Sequence, residues 1–412
     1  MRRALILLAA LLAAVFAVTA TAVAQSPCPA MKARLLRGGG AASGLLVVDA
    51  ESGQVLCARS AHTQRPLASN MKLFTTSTAL SRLGPGYRIP TRVFASGELS
   101  AGGTLQGDLY LEGGGDPTLG VPAFYDRFFP GLGTNLYALK PQIRAAGIDA
   151  VSGRLYADDS IFDRLRGVAA SGYATSSEIG PLSGLDFDAG FSSPAATAFA
   201  SDPATLAASK LANSLRGAGV AIPAKVGLGT VPPGSKRVGV VYSPTLTKII
   251  DFTDVNSDNF FAEMLIKLLG AKLGGAGTTA AGAAVVAKFA SEHGSGVHAV
   301  DGSGLTRSNR ASPQQVVNLL LTMRGAPVGD EFIQDLALAG EEGTVAERMH
   351  GTAAYGRCRT KTGTLTGVSN LSGYCFNADG RVLVFSVLMS SVSNLDLAHL
   401  EQDEIAAAVA GY

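Results

Sequence analysis

The chain has 412 residues, of which 47% are hydrophobic and 16% charged, so it can bury a large core and divide into two or three domains. This composition excludes a disordered or low-complexity protein. Arg2 and Arg3 account for the formal net charge of +2, and the balanced, scattered charge of the remainder argues against a nucleic-acid partner.

The first residues have the layout of a secretory signal peptide. The pair Arg2-Arg3 precedes an apolar run from Ala4 to Val18, and Ala22-Val23-Ala24 forms a small-x-small cleavage site. We therefore expect residues 1–24 to be removed on export, leaving a periplasmic, extracellular or cell-wall-associated protein without a membrane span. The alternative is an uncleaved membrane anchor, because the apolar run approaches the length that spans a bilayer.

Two strands and a helix are predicted next in the chain. Gly44–Ala50 and Gln54–Ser60 are runs rich in β-forming residues, joined by turn residues at positions 51–53. After Pro66, apolar residues at helical spacing predict a helix from Ser69 to Leu83, which the following glycine and proline end.

From Ile89 to Val241 the pattern changes to short β-rich runs that are broken by glycine, proline and aspartate. Thr104–Glu112 and Gly153–Ala157 are two such runs, and Pro203–Arg216 is a more helical stretch among them. The change predicts that this region is organised differently from the segments on either side of it.

Helical patterning then returns. An apolar helix face from Phe261 to Leu268 is followed by Gly270, which predicts the end of that helix. Ser312-Pro313 together with Gln315 predicts another helix start, because the hydroxyl caps the first turn and the glutamine completes a capping box. Three strands and a final helix follow, at Gly356–Thr366, Ser369–Asn377, Arg381–Met389 and from Leu395 onward.

The four cysteines are Cys28, Cys57, Cys358 and Cys375. In an exported chain they predict two disulfides, for which three pairings are possible. If Thr366-Gly367 is the tip of a hairpin, Cys358 and Cys375 are equidistant from it and face each other. We therefore expect a Cys358–Cys375 bridge, which leaves Cys28 for Cys57. Zinc binding is the competing interpretation, but no C-x-x-C or H-E-x-x-H spacing occurs, so neither a metal nor a cofactor is expected.

Three short motifs occur once each, in the order Ser69-x-x-Lys72, Ser257-x-Asn259 and Lys361-Thr362-Gly363. Singly, each has an ordinary structural explanation. The first could be a solvated helix turn, the second could cap the following helix, and the third could be an exposed strand with a turn glycine. Their joint occurrence in an exported chain favours a catalytic explanation.

Together the motifs can activate a serine. Ser69 and Lys72 share one helix face, so the amine can reach the hydroxyl and remove its proton if burial and a second cation lower the pKa of the amine. Lys361 would supply that cation, Ser257 would relay a proton, and Asn259 would hydrogen-bond a substrate amide. We therefore predict Ser69 as a nucleophile with Lys72 as its base.

These motifs resemble those of the penicillin-recognising serine enzymes. Further segments narrow the resemblance to the class C low-molecular-mass penicillin-binding proteins, the D-Ala-D-Ala carboxypeptidase/endopeptidase family: Gly113–Leu119, Asp301–Leu305 and Lys361–Gly373. The long separation between Ser69 and Ser257 fits the same family, and the resemblance covers roughly residues 44–389.

The resemblance implies an α+β fold. A transpeptidase/β-lactamase-like domain, in which helices cover an antiparallel sheet, would be built from residues 25–88 and 242–412. A large β-rich insertion, of one or more domains, would occupy residues 89–241. The Gly113 to Gly115 run inside it is interpreted as a structural turn, because no GK[ST] sequence follows as in a phosphate-binding loop.

The resemblance also implies a function and a set of roles. The chain would be a serine-type D-Ala-D-Ala carboxypeptidase and DD-endopeptidase that acts through an acyl-enzyme on peptidoglycan stem peptides and is acylated by β-lactam antibiotics. Lys361, Thr362 and Thr364 would bind the substrate carboxylate, in a binding segment that includes Gly363. The backbone N–H groups of Ser69 and Thr364 would form the oxyanion hole.

Two other functions are compatible with the same motifs. A β-lactamase shares all three, but such enzymes are compact and have no long insertion between the first two motifs. A penicilloyl sensor or cell-wall-binding protein would be acylated without turnover, and a sensor normally needs a transmembrane connection. Steady release of D-alanine would identify a carboxypeptidase, whereas rapid penicillin turnover would identify a β-lactamase.

Overall fold

The computed structural model describes residues 26–412. The predicted signal peptide, residues 1–24, lies outside them. Over the described range, no helix has the length and apolar character needed to cross a membrane.

The described chain contains the following strands and helices. The strands are β1 (Gly44–Asp49), β2 (Val55–Arg59), β3 (Arg65–Pro66), β4 (Pro90–Leu99), β5 (Thr104–Glu112), β6 (Leu119–Gly120), β7 (Thr134–Asn135), β8 (Ala150–Val151), β9 (Leu155–Asp158), β10 (Gly227–Leu228), β11 (Lys236–Tyr242), β12 (Arg310–Ala311), β13 (Ala337–Leu338), β14 (Cys358–Leu365), β15 (Val368–Phe376) and β16 (Val382–Ser390). The helices are α1 (Cys28–Gly39), α2 (Met71–Leu83), α3 (Pro122–Phe128), α4 (Leu139–Ala145), α5 (Pro203–Gly217), α6 (Leu246–Val255), α7 (Asn259–Leu273), α8 (Thr279–Glu292), α9 (Pro313–Arg324), α10 (Gly329–Gln334) and α11 (Leu395–Ala410).

A six-stranded antiparallel sheet combines strands from the beginning and the end of the described chain, in the order β13-β14-β15-β16-β1-β2. Both of its faces are covered. Leu45 and Val47 of β1 belong to the core that includes α1 and α11, whereas Leu46 and Val48 belong to the core that includes α2 and α9. This arrangement confirms the predicted α+β fold with a helix-covered antiparallel sheet.

A second sheet lies within the region between β3 and α6. Its order is β10-β9-β5-β4-β11 with β8 beside β5, and it mixes antiparallel pairs (β4 with β5 and β11) with parallel ones (β5 with β8 and β9, β9 with β10). Together with α4 and α5 it forms a separate core whose members all lie between Val93 and Val241. This core supports the predicted inserted unit at residues 89–241, although its boundaries stay a prediction.

The inserted region also packs into the main core. Phe124, Phe129 and Phe162 are buried there, and Asp163 forms an ion pair with Lys267, a fully buried residue of α7. A buried ammonium is costly unless it is paired, so this contact holds the inserted region against α7.

Of two sequence signals for helix ends, one at the start of α9 and one at the end of α7, the first was confirmed and the second was wrong. The capping box of α9 is confirmed, because the Ser312 hydroxyl accepts from the Gln315 N–H (3.2 Å) and the Gln315 side chain accepts from the Ser312 N–H (2.8 Å). The prediction that α7 ends at Gly270 was wrong, because the helix continues to Leu273. A Cβ at Gly270 would lie 2.6 Å from the carbonyl oxygen of Ala276, so the glycine permits a close approach of the chain that leads into α8.

Both predicted disulfides are present. Cys358 and Cys375 are register partners on β14 and β15 and are bonded, with 4.1 Å between their Cα atoms. Cys28 is bonded to Cys57 and ties α1 to β2, with 5.2 Å between the Cα atoms. The hairpin prediction is thereby confirmed to the residue, because a shift of one position would have separated Cys358 from Cys375.

Removal of the Cys358–Cys375 bridge should lower stability without changing the fold. In a Cys358→Ala/Cys375→Ala variant we expect the free energy of unfolding to fall by up to about 3 kcal/mol, because the bridge restricts the unfolded chain. Chemical denaturation measures this loss. In a Cys28→Ala/Cys57→Ala background, a reducing agent should produce a comparable loss, since only the hairpin bridge then remains to be reduced. Unchanged denaturation midpoints in both experiments would contradict the prediction.

Candidate active site

Ser69 lies on a short 3₁₀ turn, Ala68–Asn70, that leads directly into α2. The α-helix proper begins at Met71, two residues after the predicted start near Ser69, because residues 68–70 form the 3₁₀ turn. Ala68 has a left-handed backbone conformation (φ 46°). Such a conformation is strained for a residue with a Cβ and is common at functional sites. Asn70 holds the turn against β14 by donating from Nδ2 to the Lys361 carbonyl oxygen (3.0 Å).

The amine of Lys72 contacts the hydroxyl of Ser69. Nζ of Lys72 lies 3.1 Å from Oγ of Ser69, 2.7 Å from Oδ1 of Asn259 and 2.9 Å from the carbonyl oxygen of Ser303. An ammonium can donate to all three oxygens, whereas a neutral amine can donate to two and accept a proton from the third. The two carbonyl-type oxygens can only accept, so the lone pair of a neutral Lys72 would be directed at Ser69.

Burial favours the neutral form of Lys72. The side chain is fully buried, and this burial lowers the pKa of Lys72 to about 8. The charges of four carboxylates act in the opposite direction and limit the shift: Asp258, Glu263, Asp254 and Asp301. A general base is most effective when its pKa lies near the working pH, so the site is suited to proton removal from Ser69.

A buried loop supports Lys72 from behind. Glu263 on α7 accepts hydrogen bonds from the N–H groups of Gly302 (3.0 Å) and Ser303 (2.7 Å), and Asp301 accepts from the N–H of Gly304 (2.8 Å). These bonds fix the loop whose Ser303 carbonyl accepts from Lys72. The Asp301–Leu305 segment, which contributed to the family resemblance, therefore positions Lys72, the predicted base.

Ser257 and Asn259 lie where α6 passes into α7. Asp258 between them is the helix cap, since its carboxylate accepts from the Phe261 N–H (2.9 Å). Ser257 has a left-handed backbone (φ 58°). Capping therefore explains only the middle residue of this motif, and the two outer residues line the cleft.

The cleft beside Ser69 has a volume of about 310 Å³. Six of the predicted site residues line it: Ser69, Ser257, Asn259, Thr362, Gly363 and Thr364. Gly363 permits β14 to approach Ser69, because a Cβ there would lie 3.1 Å from the Ser69 backbone nitrogen and 2.9 Å from the Leu67 carbonyl oxygen. The structure thus brings all three motifs together around one cavity.

Lys361 lies behind this cleft and is fully buried. Its Nζ donates to the Thr362 carbonyl oxygen (3.2 Å), and burial, together with the charge of Lys72, lowers the pKa of Lys361 to about 7. The predicted lowering of the Lys72 pKa by the charge of Lys361 is not among its causes, since burial lowers that pKa. The electrostatic effect instead acts on Lys361, whose pKa is lowered by the charge of Lys72.

Three residues that line the cleft were missed by sequence reasoning: Thr344, Arg348 and His399. Arg348 donates from Nε (2.9 Å) and Nη2 (2.6 Å) to Asp403 of α11, and Nη1 has no partner among the described residues. Thr344 accepts from the Thr362 hydroxyl (2.8 Å). No motif marks these positions, which reach the cleft only because the final helix packs beside the segment before β14.

Fold and site together define a serine acyl-enzyme of the penicillin-recognising class. The paired serine and lysine, the SxN loop and the KTG strand all face one cleft at the edge of a helix-covered antiparallel sheet. The chain belongs to the D-Ala-D-Ala carboxypeptidase 3 (S13) family, whose sequence profile matches residues 31–200 and 188–410.

Individual relatives agree with this membership. The chain is 33% identical to a D-alanyl-D-alanine carboxypeptidase from Actinomadura sp., over 90% of its own length and 82% of the relative's. It is 30% identical to a carboxypeptidase from Mycobacterium tuberculosis, over 83% and 75% of the two chains. The crystal structure of penicillin binding protein 4 from Haemophilus influenzae superposes with a TM-score of 0.78 at 19% identity, covering 93% of this chain and 99% of the other. The structural likeness confirms the fold, and the sequence matches confirm the predicted family.

Proposed function

We propose that the chain is a serine-type D-Ala-D-Ala carboxypeptidase that acts on peptidoglycan peptides through an acyl-enzyme on Ser69. The observation that carries this proposal is the contact between Nζ of Lys72 and Oγ of Ser69 (3.1 Å), with a base whose pKa is lowered by burial to about 8. A hydroxyl becomes an effective nucleophile only when a neighbouring group takes its proton. Family membership supplies the reaction class.

The proposed reaction has two halves. Lys72 takes the Ser69 proton while Oγ bonds to the carbonyl carbon of the penultimate D-alanine, and the backbone N–H groups of Ser69 and Thr364 receive the developing oxyanion. The C–N bond then breaks, and the terminal D-alanine leaves with a proton that Ser257 delivers from Lys72. Water next adds to the ester carbonyl, and the peptide carboxylic acid departs as Ser69 regains its proton.

The terminal carboxylate of the substrate would be bound at the β14 side of the cleft. Thr362 and Thr364 line the cavity, the Thr362 hydroxyl would turn from Thr344 to the carboxylate, and Lys361 adds positive charge from beneath the strand. Arg348 adds a guanidinium whose Nη1 is unpaired among residues 26–412. Since the pKa of Lys361 is lowered to about 7, its charge is partial at neutral pH, and Arg348 would be the permanent cation of this subsite.

The same subsite would permit cutting of cross-links. In a cross-linked wall peptide, the residue after the scissile bond also has a free carboxylate, at the D-centre of a diaminopimelate. The cleft would therefore accept both a terminal D-alanine and a cross-link, and we expect endopeptidase activity beside carboxypeptidase activity. Two disulfides persist in an oxidising compartment, which supports the proposed export to the periplasm or the cell wall.

Incubation with purified muropeptides, followed by mass spectrometry, tests this function. Pentapeptides should lose one D-alanine in a steady reaction, and cross-linked dimers should yield monomers. Fluorescent penicillin should label the protein stably. Rapid penicillin turnover without release of D-alanine would instead identify a β-lactamase, and stable labelling without release would identify a sensor or binding protein.

Arg348→Gln should weaken recognition of the terminal carboxylate. We expect kcat/KM for a peptide with a free C-terminal carboxylate to fall about tenfold or more, as for the loss of a charged hydrogen bond. The C-terminally amidated peptide should be a poor substrate for the native enzyme and should be affected little by the substitution.

Asp403→Asn is the matched control for that experiment. It removes the charge that pairs with Arg348 (2.6 Å) but keeps the guanidinium. It should preserve most of the preference for the free acid. An equal loss of kcat/KM in both variants would show that the ion pair matters only for folding and would contradict a carboxylate-binding role for Arg348.

A further inference from the structure

Asp254 is a fully buried carboxylate without a hydrogen-bond partner. It lies in the last turn of α6, and neither of its oxygens accepts a hydrogen bond from any residue in the range 26–412. The Thr76 hydroxyl lies beside this carboxylate but donates its one proton to the carbonyl oxygen of Lys72 (2.7 Å). Buried polar groups are almost always paired, so this unpaired carboxylate requires an explanation.

The stability of the fold does not explain Asp254. A carboxylate in the last turn of a helix lies at the negative end of the helix dipole, where its charge is unfavourable. Burial adds a desolvation cost, which no hydrogen bond from the described residues offsets. An apolar side chain at this position would pack between α6 and α2 without either cost. The explanation therefore lies in the groups that surround the carboxylate.

The two lysines of the predicted site lie on elements that surround Asp254. Lys72 is on α2, against which α6 packs. Lys361 is on β14, and the segment before β14 contacts the end of α6 so closely that a Cβ at Gly343 would clash with the carbonyl oxygen of Val255. Both lysines are fully buried, and Asp254 hydrogen-bonds to neither of them. Its effect on them is therefore that of a nearby charge.

The negative charge of Asp254 matters most for Lys361. Four carboxylates raise the pKa of Lys72, whereas within the described chain Asp254 alone raises that of Lys361, against burial and the charge of Lys72. Asp335 cannot replace it, because burial and neighbouring carboxylates raise the pKa of Asp335 to about 8. Burial raises the pKa of Asp254 only to about 6, so this residue stays ionised at neutral pH. The charged groups that face the two aspartates from farther out are Asp251, Glu331, Glu342 and Arg359.

We propose that Asp254 is a positioning residue whose negative charge keeps Lys361 protonated, so that the cleft still recognises the terminal carboxylate of the substrate at the pH at which Lys72 becomes a neutral base. This inference rests on the proposed function of Ser69. Acylation requires a neutral Lys72, and carboxylate recognition is strengthened by a charged Lys361. Two buried lysines of one site disfavour each other's protonation, so the pH range that meets both conditions is narrow. An anion that acts on Lys361 widens it.

The pH dependence of carboxylate recognition tests this role. The measured quantity is the ratio of kcat/KM for a peptide that ends in free D-Ala-D-Ala to that for its C-terminally amidated form, between pH 6 and pH 9. Both substrates need the same base, so the titration of Lys72 cancels from the ratio, and Arg348 is charged throughout this range. In the native enzyme the ratio should fall as the pH rises, with a midpoint near 7, because Lys361 loses its proton there.

Two variants remove the charge of Asp254. Asp254→Asn keeps the shape of the side chain, and Asp254→Leu replaces it with an apolar group of similar size. In both variants the midpoint should move to lower pH by about one unit, as expected when a nearby opposite charge is lost. At pH 9 Lys361 is uncharged in every form of the enzyme, so Ser69 should be labelled by penicillin at close to the native rate. This labelling also reports that the site is folded.

Asp251→Asn is the matched control. It makes the same substitution one turn earlier on α6, at an exposed residue whose charge is not among those that act on Lys361. Its midpoint should equal the native one. A shift as large as that of Asp254→Asn would overturn the inference, because any negative charge on this helix would then have the same effect.

The failures of the two proposals are distinguishable. A native ratio that is constant from pH 6 to pH 9 would overturn the role of Asp254, and so would variants that label normally at pH 9 but keep the native midpoint. Loss of labelling at every pH in both variants would equally overturn it, because Asp254 would then serve only the fold. If the native protein neither labelled at Ser69 nor released D-alanine, the proposed function itself would be wrong.

Discussion

Ser69→Ala is expected to abolish covalent labelling by penicillin and to reduce D-alanine release by at least about a thousandfold, as for loss of the nucleophile in other serine hydrolases. The variant lacks the only atom that can form the acyl bond, so no rearrangement of the site restores the reaction. Gel fluorescence measures the label, and mass spectrometry of the peptide that contains residue 69 locates it in the native protein.

The fold of this variant should be intact, because Oγ of Ser69 faces the cleft and, among the described side chains, hydrogen-bonds to Lys72 alone. Chemical denaturation should therefore show a free energy of unfolding within about 1 kcal/mol of the native value. Ser81→Ala, a substitution of the same kind near the end of α2, should retain full labelling. Covalent labelling of Ser69→Ala would refute the assignment of the nucleophile.

Lys72→Arg should reduce acylation about as severely as Lys72→Ala, by about a thousandfold or more, because residues that act as one catalytic unit fail together. Arginine keeps the positive charge but cannot lose a proton in this pH range. The comparison separates a base from a merely structural cation. If Lys72→Arg retained acylation and Lys72→Ala did not, positive charge alone would be what the site requires.

The pH dependence of acylation in the native enzyme provides a second measurement of the same role. Burial lowers the pKa of Lys72 to about 8, so the neutral base is scarce at pH 6 and predominant at pH 9. The acylation rate constant should rise about tenfold per pH unit on the acidic side and level off above about pH 8. Because Lys361 interacts with Lys72, the midpoint reports a property of the pair. A rate that fell across this range would contradict a basic Lys72.

Local sequence rules predicted much of the fold. The tip at Thr366-Gly367 fixed the register of β14 and β15, since a turn position sets every pairing after it, and the disulfide at Cys358 followed. The capping box at Ser312 was also predicted from neighbouring residues alone. Gly270 was misinterpreted because the chain segment that approaches it is placed by the tertiary fold.

The sequence predicted only part of the candidate site. Residue types and order identified the motif residues around Ser69, and their catalytic roles stay predictions until they are measured. Burial of Lys361 and the arrival of Arg348 at the cleft could not be predicted, since both depend on contacts between distant segments.

The pairing of β1 with β16 has a consequence for biosynthesis. Asp49 pairs with Leu383, so the first strand must wait for more than 300 residues to emerge before its partner exists. At synthesis rates of about 5–20 residues per second, that interval is on the order of 20–60 s. Throughout it, β1 has an unpaired edge, which is prone to wrong pairing. The catalytic cleft also needs β14, so it is incomplete until nearly the whole polypeptide has emerged.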